Sequence, residues 1–367
     1  MRRLAFGWLV AVGMTAAPPA APNPARFQLS QVEMAVPFEL VFYAPDEASA
    51  NRAAQSAFRH IAQLNTILSD YDPESELTRL CATSGEGRSV PVSDPLWRVL
   101  SRAYQVADLS DGAFDVTIGP MIRIWRRARR LHELPSPEKV DAARQLVGYR
   151  LMRLYPEHHG VELRKKGMRL DLGGIAKGFA AEEALRVLGE HGITRAMVHA
   201  GGDICLGEPP PDKPGWVVAL VSPRHGDPPS GYLCLSRCSV ATSGDLEQYA
   251  IIEGRHYSHI IDPKTGIGLT DRSLATVVAP DGMTADALAT ALCVMGPAKG
   301  LRLVEKLPGV AARVVRAEQG KPEGKTEEHL SGRWRDLPVA TPALRGGGEM
   351  RLKSEARDPK SEARNPK

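Results

Sequence analysis

The sequence predicts an α+β (mixed α/β) fold of short strands and flanking helices, and three observations lead there. Apolar side chains recur at helical spacing in several separate stretches. Short apolar runs bounded by Gly, Pro, Asp and Ser stand between those stretches, as strands do. No period of 20 to 50 residues repeats through the body of the chain, which excludes a solenoid or propeller. With 367 residues, 43% of them hydrophobic, and a mean hydropathy of -0.23, the chain can bury one large core or two modest ones.

The elements follow in order. Residues 1–30 open with two arginines and an apolar run, MRRLAFGWLVAVGM, and continue into TAAPPAAPNPA. A charged start, a short apolar segment and small residues near a cleavage point make up a secretory signal, here followed by a Pro/Ala-rich linker. The run falls short of the roughly 20 residues of a membrane span, so export is expected, with membrane association only through this segment if it stays uncleaved. No later segment of the sequence is read as a span.

VPFELVFYA (36–44) reads as a strand, ASANRAAQSAFRHIAQLNTIL (48–68) as an amphipathic helix, and LWRVLSRAYQVADL (96–109) as a second helix. Short strands are expected around MRLDL (168–172), RAMVHA (195–200), GWVVALV (215–221), YLCLS (232–236) and LATVVA (274–279). Two helices alternate with them, AAEEALRVLGEHG (180–192) and TADALATALCVMG (284–296). Residues 317–367 are charged and rich in Pro and Gly, and end in a direct repeat, SEARDPK then SEARNPK. Such a tail cannot bury a core and is expected to be disordered, which leaves residues 31–316 as the functional domain.

Charge and cysteine usage exclude several classes. Lys and Arg number 47 against 43 Asp and Glu, a net charge of +4, so nucleic acid is not expected as a partner. The basic run Ile122–Arg130 fits either a solvated helix face or an anion grip. Five cysteines without any CxxC spacing argue against structural zinc. They read as small buried hydrophobes, with one Cys234–Cys238 link as the alternative in an exported chain.

Four loops are punctuated by glycine: DGAFD (111–115), DLGGIAKG (171–178), HAGGDI (199–204) and DPKTGIG (262–268). Glycine lets main-chain N–H groups approach a ligand with no Cβ in the way. Lys177 adds a full charge at a helix start, where the backbone already presents partial positive charge. One such cluster fits a plain strand-to-helix turn; four in one chain point to an anionic ligand, most simply a phosphate. GxGxxG and GxxxxGK[ST] are both missing, so neither the Rossmann nor the Walker loop applies.

Asp286 and Thr290 lie four residues apart in TADALAT, on one face of a helix. Carboxylate and hydroxyl there are hard oxygen donors suited to Mg2+, or else a helix cap and a back-bonded threonine. As a cleft carboxylate, Asp286 is expected to contribute little to packing. His259, in the apolar stretch before the Asp262–Gly266 turn, fits a general base or a buried structural imidazole. His256 and His259 do not suggest a metal pair, because residues three apart on a strand point to opposite faces. No Gly-x-Ser-x-Gly elbow or HExxH helix offers a rival chemistry.

Taken in order, DGAFDVTIGP, DLGGIAKGFA, HAGGDI, Thr242-Ser243-Gly244 followed by YSHIIDPKTG, and TADALATAL resemble the serial motifs of the ApbE family over roughly Met34 to Arg316. The resemblance implies an exported FAD:protein FMN transferase with a single ApbE-like domain and FAD in a central cleft. It implies Mg2+ as cofactor and, as partner, an acceptor flavoprotein that takes FMN on a Thr or Ser hydroxyl while AMP leaves. By residue, it implies a metal site of Asp286, Thr290 and the Gly174 carbonyl. Flavin-nucleotide contacts fall on Met34, Ser69, Tyr71, Ala113, Phe114, Asp115, Asp171, Lys177 and Ile260, and catalysis on His259 with Asp286. Thr242 and Ser243 border the same cleft. Where members commonly read Met-Gly-Thr near the start, this chain has Met34-Ala-Val36. Hydrolysis of FAD to FMN and AMP, or flavin binding without turnover, are the two alternatives.

Overall fold

A computed structural model describes residues 23–224, 226–246, 248–317 and 326–340, so the signal segment through residue 22 and the repeat tail from 341 lie outside the described residues. In chain order the strands are β1 (Ala25–Glu33), β2 (Val36–Ala44), β3 (Val90–Pro91), β4 (Met152–Tyr155), β5 (Gly160–Leu163), β6 (Ala196–Ala200), β7 (Asp203–Leu206), β8 (Trp216–Leu220), β9 (Gly231–Leu235), β10 (Cys238–Gly244), β11 (Tyr249–Ile252), β12 (Arg255–Ser258), β13 (Ser273–Ala279), β14 (Ala311–Ala317) and β15 (Thr326–Leu330). The helices are α1 (Glu47–Leu68), α2 (Glu76–Ala82), α3 (Asp94–Leu109), α4 (Gly119–Leu131), α5 (Pro137–Arg144), α6 (Ala176–Glu190) and α7 (Gly282–Glu305).

Among the described residues, eight strands make one sheet in the order β1-β2-β6-β7-β10-β13-β14-β15, each neighbour antiparallel. The period of two along β2 assigns its faces: Phe38, Leu40 and Phe42 enter the large core under the helices, and Val41 enters the core of the opposite face. The first face is covered by α1, α6 and α7. The second is covered by the β8–β9 hairpin and Trp334, with Trp216, Val218, Leu233 and Leu235 turned inward. A third cluster, around Met121, Trp125, Ala128, Tyr257 and Ile261, joins α4 and α5 to the β11–β12 hairpin.

Local chemistry sets the helix ends. Asp46 caps α1 by accepting from the Ser49 amide at 2.7 Å, and the buried Ala50, Ala53, Ala54, Ala57, Phe58, Ile61, Leu64 and Leu68 follow helical spacing. Asp281 caps α7 by accepting from the Thr284 amide at 2.8 Å. α7 runs past the expected end at residue 296 because Gly296, at φ 73°, and Pro297 form a kink rather than a stop. By length and composition α7 could cross a membrane, contrary to the expectation from sequence, but its apolar side chains pack against β10, β13 and α6 as the core helix of the fold.

Two expected boundaries and one expected strand are corrected. The linker assigned to residue 30 ends earlier, since β1 begins at Ala25 and pairs with β2 along its whole length, resting Phe27 and Leu29 on the core. The tail assigned from 317 contains β15, paired with β14, and Trp334, 7% exposed, which anchors the last described turn. MRLDL does not form a strand: only Arg169 bridges, in parallel with Ile118, and the chain then turns into the glycine loop. The five cysteines are all unpaired, four of them buried and Cys238 half-buried, so the Cys234–Cys238 link does not form.

Candidate active site

The loop DLGGIAKG enters α6 through a tight turn in which Asp171 Oδ1 accepts the Gly173 amide at 2.9 Å. Lys177, in the first turn of α6, bends back over that loop. Its ammonium donates to the Gly173 carbonyl at 3.0 Å and lies 3.0 Å from Asp203 Oδ2 and 3.3 Å from Asp286 Oδ2. Asp286 Oδ2 also accepts the Gly178 amide at 3.2 Å, so a carboxylate from α7 satisfies one of the open N–H groups at the start of α6. Asp286 is 2% exposed and Asp203 4%, which corrects the picture of Asp286 as a cleft-wall carboxylate of little structural weight. Burial, reinforced by the charge of Asp286, pushes Asp203 up to about 7 against the pull of Lys177. Burial works against the Lys177 ammonium, but Asp203 and Asp286 outweigh it and raise its pKa above the ordinary lysine value.

One turn along α7, Thr290 Oγ1 lies 3.1 Å from Ser243 Oγ, at the end of β10. Gly174 faces the same hydroxyl so closely that a Cβ there would stand 3.1 Å from Thr290 Oγ1 and 3.2 Å from the Phe114 ring. Gly174 thus packs against Thr290 with no room for a side chain, Asp286 lies one turn back along the same helix, and both side-chain donors are oxygen. No group of three or more His, Cys, Asp or Glu side chains suited to a metal occurs among the described residues. A cation here would draw on one carboxylate, one hydroxyl, one main-chain carbonyl and oxygens of its ligand, a set that fits Mg2+ and not zinc.

The stretch LSDYDPESEL joins the same region through the basic run. Arg126 donates to Asp70 Oδ2 at 2.7 Å and to Asp171 Oδ2 at 3.0 Å, and its guanidinium lies 4.2 Å from the centre of the Tyr71 ring. Tyr71 is 74% exposed and so offers an open aromatic face. Ser69 shapes that turn: its hydroxyl accepts the Tyr71 and Asp72 amides, each at 3.2 Å. Burial, then the neighbouring Asp70 charge, holds the Asp171 carboxyl above the usual carboxylate range.

In DGAFD, Ala113 and Phe114 are buried behind the loop. Asp115 accepts the Thr117 amide at 2.8 Å and the Tyr149 amide at 2.7 Å with its carboxylate, and the Ile118 amide at 3.2 Å with its carbonyl, so both are committed within the protein. Met34 sits at the tip of the β1–β2 turn, where it and Ala35 both take left-handed backbone, φ 49° and 62°. That tip reaches the HAGGDI turn, because a Cβ on Gly201 would lie 2.9 Å from the Val36 Cβ. Gly202 in turn accepts the Thr242 amide at 3.1 Å, which ties HAGGDI to the Thr242-Ser243-Gly244 loop.

His259 follows β12 directly. Its amide and its ring Nδ1 both meet the Gln248 carbonyl at 3.0 Å. A carbonyl only accepts, so Nδ1 carries the proton and Nε2 is the basic atom of the ring. Desolvation lowers the imidazole to about 4 against the Gln248 hydrogen bond, with Arg129 and Lys177 pushing it down as well. The ring is therefore neutral near pH 7, as a proton acceptor must be. Ile260 beside it is buried and accepts the Leu269 amide at 2.8 Å. His256 has a separate partner, Asp245 at 3.5 Å, and stacks on Tyr249, so the two histidines do not form a metal pair.

Sequence reasoning placed no role on Asp203 or Asp70, and weighed Arg126 only as one member of the basic run Ile122–Arg130. Asp203 had one signal, a carboxylate right after the paired glycines of HAGGDI. Arg126 was concealed by its basic neighbours, and only its contacts separate it from a solvated face.

Comparison with known proteins converges on one family. Residues 34–314 match the ApbE family. A FAD:protein FMN transferase of Treponema pallidum (strain Nichols) is 34% identical over 280 residues, covering 72% of this chain and 77% of that protein. A second, from Vibrio cholerae serotype O1, is 30% identical over 326 residues, covering 85% and 95%. Among solved structures, the flavin transferase ApbE of Vibrio cholerae superposes with a TM-score of 0.76 at 27% identity, covering 86% of this chain and 99% of that one. The ApbE protein of Thermotoga maritima gives 0.76 at 28%, covering 85% and 99%.

Proposed function

The chain belongs to the ApbE family, and from that premise we infer that it is an FAD:protein FMN transferase whose reaction depends on Mg2+ held by Asp286, Thr290 and the Gly174 carbonyl. The observation that carries the reading is the packing of Gly174 against Thr290, one turn along α7 from Asp286, whose carboxylate faces the Lys177 ammonium at the N-terminus of α6. The cation would supply Lewis-acid polarisation of phosphate oxygens and a template for in-line displacement.

The protein's own groups account for the rest. Lys177 and the partial positive charge at the N-terminus of α6 offset the negative charge of the diphosphate. Tyr71, backed by Arg126, offers an aromatic face on which a flavin or adenine ring can stack. Phe114, Met34 and Ile260 supply apolar contact around the nucleotide. His259 Nε2 accepts the proton of the incoming Thr or Ser hydroxyl while its oxygen bonds to the FMN-side phosphorus. The P–O bond to the AMP phosphate breaks, the electron pair leaves with AMP, and the acceptor flavoprotein keeps FMN as a phosphoester.

The test mixes purified protein, FAD, Mg2+ and an acceptor flavoprotein domain, and follows acceptor mass and flavin fluorescence on a denaturing gel. A mass gain of one FMN unit that needs the metal is expected. FMN and AMP released without acceptor modification would assign the site to FAD hydrolysis, and FAD recovered unchanged would assign it to flavin binding. Export and action in the periplasm complete the reading. They rest on the charged and apolar start of residues 1–22 and are checked by fractionating cells and sequencing the mature N-terminus.

A further inference from the structure

Asp203 is the most constrained charged group that the transfer reaction leaves unused. It opens β7 directly after the Gly201–Gly202 turn, and its backbone is fixed in register with Ala200 on β6 and Ala241 on β10. Its side chain is 4% exposed, and Oδ2 has no hydrogen bond of good geometry; what it does have is the Lys177 ammonium, 3.0 Å away. The same nitrogen lies 3.3 Å from Asp286. Two buried carboxyl groups thus share one ammonium in a place where an unbalanced carboxylate is costly.

That arrangement creates a conflict for the metal reading, on which this inference rests. A cation bound by Asp286 must take over a carboxylate oxygen that Lys177 already faces. An ammonium with no other partner would compete with the cation directly; one with a second carboxylate can yield Asp286 and stay ion-paired. We propose that Asp203 is a positioning residue that holds the Lys177 ammonium aside for the divalent cation, so that lysine and cation act together on the diphosphate instead of competing for Asp286. Because β7 is pinned between β6 and β10, Asp203 cannot follow the lysine, which makes it a fixed anchor.

The full chain is titrated calorimetrically with Mg2+ alone and with Mg2+ in the presence of FAD, comparing Asp203→Asn, Lys177→Met and the double variant with the native protein. Asp203→Asn keeps the shape, removes the anchoring charge, and is expected to raise the Mg2+ dissociation constant about tenfold, with the melting curve still cooperative. Lys177→Met removes the competitor and is expected to tighten Mg2+ while weakening FAD. In the double variant the Asp203 effect should largely vanish, because it acts through the lysine. Equal Mg2+ affinity for Asp203→Asn and native protein overturns the proposal and leaves the metal reading standing. So does an undiminished Asp203→Asn effect in the Lys177→Met background. Native protein that takes up no Mg2+, with or without FAD, overturns the metal reading itself. If Asp203→Asn does not fold, Lys177→Met alone decides: weaker Mg2+ binding there defeats the competition on which the proposal depends.

Discussion

Gly178 and Gly282 meet backbone to backbone at the crossing of α6 and α7, where a Cβ on either would overlap the other's carbonyl. This contact sets the spacing between Lys177, beside Gly178, and Asp286, one turn into α7. Neither carbonyl can swing away, since both belong to helix starts. Gly178→Ala should therefore push the helices apart and cost about 1–3 kcal/mol in chemical denaturation. It should also lower Mg2+-dependent transfer beyond what the stability loss explains. Unaltered stability would mean that the helices tolerate a wider crossing.

Asp286 accepts the Gly178 amide, and the proposed function also gives it the cation; substitutions can separate the two roles. Asp286→Asn keeps an acceptor for the Gly178 amide but discards the charge that a divalent cation needs. It should retain most of the stability and lose Mg2+-dependent transfer by at least about a hundredfold. Asp286→Ala also orphans the Gly178 amide, so a further loss of about 1–3 kcal/mol is expected. Melting curves of the two variants beside transfer rates check the order native, Asn, Ala for stability. Full transfer by Asp286→Asn would remove Asp286 from the metal site.

The depressed pKa of His259 sets the sign of a pH effect. The folded value, about 4, lies below the ordinary 6.5, so between these values the unfolded chain binds the proton more readily. The contribution of neutral His259 to stability is present above about pH 6.5 and is lost as pH falls toward 4. Its proton-accepting form persists over the same range, so kcat/KM should stay level below pH 6.5 where an unperturbed histidine would already be charged. His259→Asn should reduce kcat by about 10²–10⁴ with a smaller change in FAD affinity. A mainly weakened FAD affinity would make His259 a binding residue.

The glycine loops, the helix bearing Asp286 and Thr290, and the central strands were legible in the sequence because local composition determines them: glycine at turns, apolar periodicity in elements. What Lys177 does was not legible, since its partners Asp203 and Asp286 arrive from β7 and α7 through tertiary packing. Sequence pattern placed the lysine at a helix start and so aimed it at a phosphate; the fold adds the two carboxylates. β1 and β15 were hidden for a different reason. Both lie at sheet edges, where only one neighbour and little burial constrain side chains, so ARFQLSQVE and TEEHL stay polar and resemble linker. Asp115 shows the reverse case: the motif points to a nucleotide contact, but its carboxylate is committed to Thr117 and Tyr149.

Arg126 offers the sharpest test of the nucleotide side of the cleft. Its two guanidinium nitrogens reach different carboxylates, Asp70 and Asp171, while its plane supports Tyr71. A lysine keeps the charge but has a single nitrogen and no planar face, so it can serve one carboxylate and stacks poorly. Arg126→Lys should leave the cooperative fold in place, because the pair is partly exposed, and raise the KM for FAD by about tenfold with a smaller change in kcat. Tyr71→Leu should act in the same direction, and the double variant should be little worse than Arg126→Lys if the arginine works by holding the ring. FAD titrations by flavin fluorescence quenching, read beside steady-state transfer, separate the two. Additive losses would mean that Arg126 meets the nucleotide itself rather than through Tyr71.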